Sequence, residues 1–84
     1  MSLRKLPEKQ TEVGLRVLNG EKAARVAREF GVRAETAISY ATKYVTSMQG
    51  YDSKEHFEVL AVPGSGHLKT ARTLYKRILS RNKI

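Results

Sequence analysis

Ala23-Ala24-Arg25-Val26-Ala27-Arg28-Glu29-Phe30-Gly31-Val32 is the stretch that decides the fold. Ala23, Ala24, Val26, Ala27 and Phe30 recur at helical spacing, with Lys22, Arg25, Arg28 and Glu29 on the other face. The spacing predicts a helix over Glu21–Phe30. Gly31 ends it, where a left-handed residue costs least. A following helix begins within Arg33–Glu35 and runs to about Gln49, with Gly50 as its C-cap. Ala37, Ile38, Ala41, Tyr44, Val45 and Met48 form its apolar stripe.

Upstream, Pro7 suits a first helical turn and Glu8 follows where the macrodipole favours an acid. Val13, Leu15, Val17 and Leu18 lead to a stop at Asn19-Gly20, so a first helix is read over Pro7–Leu18. Gly14 within it costs roughly 1 kcal/mol against Ala. Residues 1–6 carry no pattern and are expected to fray. Downstream, residues 51–56 read as polar and irregular. Phe57–Val62 reads as a strand, Pro63-Gly64-Ser65-Gly66 as a turn, and His67 to about Arg81 as a final helix. Leu68, Ala71, Leu74, Tyr75, Ile78 and Leu79 lie on one side of that helix. The expected fold class is mostly α with a minor β element. A three-helix unit over 7–50 precedes a strand-turn-helix extension over 51–84, within a single domain. A chain cut after Gly50 is expected to remain a marginally stable three-helix unit.

Composition narrows the function. The chain has 84 residues, a net charge of +8, a hydrophobic fraction of 40% and no cysteine. A core this small leaves little room for a deep substrate pocket with its supporting shell, which argues against an enzyme. Without cysteine there is no disulfide framework and no thiolate metal site. No apolar run approaches the ~18 residues of a membrane span, and no signal-peptide stretch is visible, so a cytoplasmic, nucleoid-associated protein is expected. The charge is uneven: net +4 over residues 1–33, −2 over 34–62 and +6 over 63–84. Basic regions flanking a more neutral helix suit a surface that grips phosphates around a base-reading element.

The two helices joined across Phe30-Gly31-Val32 resemble a helix-turn-helix DNA-binding motif. With Gly31 as the turn glycine, Ala27 falls where the motif wants a small residue, and Val26, Phe30 and Val32 fall on its buried positions. The segment is similar to small plasmid- and phage-type bacterial repressors and to the N-terminal domains of transposases. Past the turn, the buried position falls on Ala37 with a turn of standard length, or on Ile38 if the turn holds one more residue. One residue rotates a helix by ~100°, so the two registers present different side chains. Asn19-Gly20-Glu21-Lys22-Ala23-Ala24, with Gly31 and Thr36-Ala37, also resembles the DNA-recognition domain of phage small terminase subunits.

The resemblance implies that the start of the helix after Gly31 enters the major groove. It makes Arg33, Glu35, Thr36, Ser39, Tyr40 and Lys43 candidates at base edges, and Lys22, Arg25 and Arg28 candidates on phosphates. Tyr40 could equally be core, and Glu35 simply an acid in a first helical turn. The implied partner is double-stranded DNA, bound by a small transcriptional regulator, a repressor acting as a homodimer. The alternatives are a packaging subunit and a detached transposase head. An unpaired strand beside an apolar helix points to association through Phe57, Val59, Leu74, Tyr75, Ile78 and Leu79.

Other chemistry is weakly signalled. His56 and His67 have no third ligand at metal spacing. Pro63-Gly64-Ser65-Gly66 with Lys69-Thr70 departs from the nucleotide-binding loop, whose Lys directly follows its last Gly. No cofactor, metal or membrane is expected, and no small-molecule effector is evident.

Overall fold

The computed structural model describes residues 8–61 and 66–82. Five helices follow in order: α1 (Glu8–Leu18), α2 (Ala23–Phe30), α3 (Ala34–Ser47), α4 (Ser53–Leu60) and α5 (His67–Asn82). The mostly helical expectation holds. Pro7 at the predicted helix start, the turn at Pro63, Gly64 and Ser65, and Lys83 lie outside the described residues.

Helix α3 is the centre of the molecule and packs against α1, α2 and α5. Helix α5 also reaches α1, and α4 packs on α5. Small side chains set the spacing. Ala37, Ala41 and Val45, four residues apart, put one stripe of α3 wholly into the core. They meet Val13, Val17 and Leu18 of α1, Val26 and Ala27 of α2, and Ala71, Leu74, Tyr75 and Ile78 of α5 in one continuous cluster. Tyr44 and Tyr75 meet edge to face across the α3–α5 seam, with ring centroids 6.5 Å apart.

The turn between α2 and α3 forms at Gly31. Its φ of 68° is left-handed, and its N–H reaches the carbonyls of Ala27 and Arg28. The Val32 N–H closes back on Ala27 O at 2.9 Å. That pair of bonds satisfies the last carbonyls of α2 and reverses the chain in two residues. Helix α2 starts at Ala23, two residues later than its pattern suggests, because the Glu21 N–H closes the preceding turn on Arg16 O at 3.2 Å and Lys22 is extended. Helix α3 stops at Ser47 rather than Gln49, and its C-cap is Met48 rather than Gly50. The hydroxyls of Thr46 and Ser47 donate to the carbonyls of Lys43 and Tyr44, and so satisfy part of the last turn.

The expected strand is not present; among the described residues no strand occurs. Residues 57–60 belong to α4, and Val62 lies outside the described residues. Asp52 is the reason. Its carboxylate accepts the Lys54 N–H at 2.9 Å and opens a helix through residues that read as irregular. A short apolar run does not separate a strand from a helix, and a helix needs no partner for its backbone. Val59 turns inward, whereas Phe57 and Leu60 face out.

Helix α5 is fastened by arginines. Arg72 donates from Nε to Val17 O and from Nη2 to Glu21 O, both at 2.9 Å. It thereby caps the C-terminal end of α1 and the turn beyond it. Arg77 and Arg81 both pair with Glu55 of α4, and Arg81 also donates to Gly50 O. Arg72, Arg77 and Arg81, three of the basic residues after position 62, are therefore engaged within the fold.

Candidate nucleic-acid interface

The register of α3 settles which side chains it presents. Ala37 is fully buried, while Ile38 is only partly so, which corresponds to the turn of standard length. The core stripe then leaves Glu35, Ser39 and Lys43 exposed on the opposite side, with Thr36 half-buried beside them. Tyr40 is half-buried, and its backbone lies against α1 at Gly14. Arg33 occupies the N-cap of α3 in extended conformation and makes no side-chain capping bond. Its guanidinium is exposed and forms no ion pair among the described residues, and the same is true of the Lys43 ammonium.

Sequence reasoning missed two polar residues of this surface. Thr46 is exposed and Thr42 half-buried, and both follow from Ser39 at helical spacing. The Thr42 hydroxyl is engaged, donating to Ile38 O. The i+3 and i+7 steps from Ser39 were the available signal.

The flanking helix divides its charges. Arg16 of α1 binds Glu21 at 2.7 Å and Glu29 at 2.8 Å, and its guanidinium lies over the Phe30 ring at 5.8 Å from the centroid. The hydrogen bonds to Glu21 and Glu29 push the Arg16 guanidinium above its ordinary value. The same bonds hold both carboxyls below the ordinary carboxylate value, with a smaller pull from Arg25. Arg25 thus sits in the field of two acids. Lys22, at the N-cap of α2, and Arg28 are exposed and form no ion pair among the described residues. The cations left to face an outside anion around this helix pair are Lys22, Arg28, Arg33 and Lys43.

Of the six side chains expected at an association surface, Val59, Leu74, Tyr75 and Ile78 are buried within the chain. Phe57 and Leu79 are exposed, by 68% and 45%, and Leu60 shares the outer face of α4 with Phe57. No protein-family model matches the chain, and no curated protein or solved structure matches it.

The ion pairs carry a pH dependence. The bond from Arg81, then that from Arg77, lowers Glu55 as Arg16 lowers Glu21 and Glu29. A carboxyl depressed by folding stabilises the fold above its unfolded value, here about 4.5, and loses that contribution as pH falls through the depressed folded value. Urea midpoints are expected to be flat above this value and to fall below it. Arg16→Gln should shrink that acid limb, and an unchanged limb would contradict the assignment.

Proposed function

We propose that this chain binds double-stranded DNA through α3, as a small transcriptional regulator that acts as a homodimeric repressor. The observation that carries the reading is the outward face of α3. It offers Glu35, Thr36, Ser39 and Lys43 behind a tight glycine turn, and unpaired Lys22, Arg28 and Arg33 flank it. An α-helix fits the B-DNA major groove. Arg33 can fork onto guanine O6 and N7, and Ser39 and Thr36 can donate to or accept from several base edges. Lys22 and Arg28 hold phosphates, and Arg25, offset by its acids, contributes less. Two copies on a two-fold site would give a short helix useful affinity, with Phe57 and Leu60 the apolar side chains of α4 left to join them.

Titration of the full chain against duplexes selected from a random pool tests this, with solution mass measured alongside. Affinity is expected to fall with salt, with a log–log slope of about −0.9 per phosphate neutralised. Lys22→Ala and Arg28→Ala should weaken all sequences evenly and reduce the slope by roughly one each. Arg33→Ala and Ser39→Ala should instead relax discrimination, by about 1–3 kcal/mol where a bidentate contact is lost. No binding to any duplex at ~50 mM salt would end the proposal.

A further inference from the structure

A cleft of about 700 Å³ lies against the outward face of α3. Glu35, Ile38, Ser39 and Lys43 of α3 line it, with His67 and Leu68 from the start of α5. Its volume falls within the ~300–1,000 Å³ of small-molecule sites. Beside it is a second, narrower space of about 10 Å³, which is room for one water-sized group. Thr42 and His67 line both spaces, so the two adjoin.

The inner space has a chemical peculiarity. Thr70 is 1% exposed and its Oγ1 is buried with no hydrogen-bond partner among the described residues. The buried Nδ1 of His56 likewise has none. Both residues line the inner space. Buried polar atoms are normally paired, so two orphans around one small space mark a place where a polar group from outside is accommodated.

We propose that the cleft is a binding site for a small, uncharged, largely apolar molecule carrying one hydroxyl group, and that this molecule and DNA compete for the outward face of α3. Ile38 and Leu68 supply the apolar lining. Glu35 and Lys43 lie on the same cleft with opposite charges, so a charged ligand of either sign meets one like charge. The inner space admits a single polar group. A hydroxyl both donates and accepts, as pairing with a threonine hydroxyl and an imidazole nitrogen requires. Only the competition rests on the DNA reading, because Glu35, Ser39 and Lys43 belong to both surfaces.

The test uses the labelled full chain in NMR titrations with phenol, and with toluene, which has a similar shape but no hydroxyl. Phenol is expected to give saturable shifts at Ile38, Thr42, Leu68 and Thr70, and to bind about tenfold more tightly than toluene. Thr70→Val keeps the shape, leaves His56 Nδ1 as the remaining partner of the hydroxyl, and should reduce the preference for phenol. Ser39 is exposed, so Ser39→Trp should keep the fold and abolish binding by filling the cleft. Shifts that do not saturate, or a phenol preference that Thr70→Val leaves undiminished, would overturn the site. In a duplex titration, saturating phenol should lower DNA affinity. Unchanged DNA affinity would overturn the competition and leave the site standing. Phenol binding by a chain that binds no duplex would remove the DNA reading alone.

Discussion

A chain ending after Gly50 is expected to lose its fold. The three N-terminal helices look self-contained in sequence, but their core is completed from the other end. Ala71, Leu74, Tyr75 and Ile78 of α5 are all buried in the cluster that holds Val13, Val17 and Val45. Removing α5 exposes that apolar surface to water. It also withdraws Arg72, whose guanidinium binds the carbonyls of Val17 and Glu21. A domain of this size has a stability of about 0.05–0.15 kcal/mol per residue, so such a loss exceeds what it can absorb. Circular dichroism of residues 1–50 should show weak helicity and no cooperative melting. Two substitutions in the full chain separate the causes. Leu74→Ala is expected to cost about 2–5 kcal/mol through the cavity it leaves. Arg72→Met should cost about 1.5–3 kcal/mol, since it keeps much of the apolar stem but removes bonds from a charged donor. A cooperative transition in the truncated chain would show that α5 is an appendage rather than part of the core.

Arg72 also shows where sequence reading stops. Six basic residues after position 62, without an acid among them, look like one solvated or phosphate-facing block. Three of them bind partners 22 to 55 positions away, and no local pattern encodes those partners. The elements built from local signals were legible. The α2 stripe and Gly31 placed the turn, and the first, third and last helices appear within two residues of their expected ends where those ends are described. Helix α4 was not legible, because its apolar residues are too few to show a period. The cue lay in Asp52 and Glu55, three apart, which open a helix. The register of α3 lay between these cases. Ile38 is the more hydrophobic residue, yet Ala37 faces inward on the stripe of Ala41, where α1 comes close through Gly14.

That closeness sets the sign of the second large effect. By helix propensity alone, Gly14→Ala should stabilise α1 by roughly 1 kcal/mol. The packing reverses this. A Cβ at position 14 would lie 2.8 Å from Tyr40 O and 3.3 Å from the Cα of Ala41. Those are backbone atoms of α3, so no rotamer change relieves the contact. The helices must separate, and Val13, Val17, Ala37 and Ala41 lose contact with them. Overpacking of this kind typically costs about 1–3 kcal/mol, enough to outweigh the propensity gain. Gly14→Val adds two further methyl groups on that Cβ and a β-branched restriction within the helix, and should cost more. Urea unfolding of the Gly, Ala and Val series should therefore give stability falling in that order. Duplex affinity should fall with it, because separating α1 from α3 shifts Tyr40 and with it the neighbouring Ser39 and Lys43. An Ala variant as stable as the parent would mean that the α1–α3 approach is looser than this packing requires.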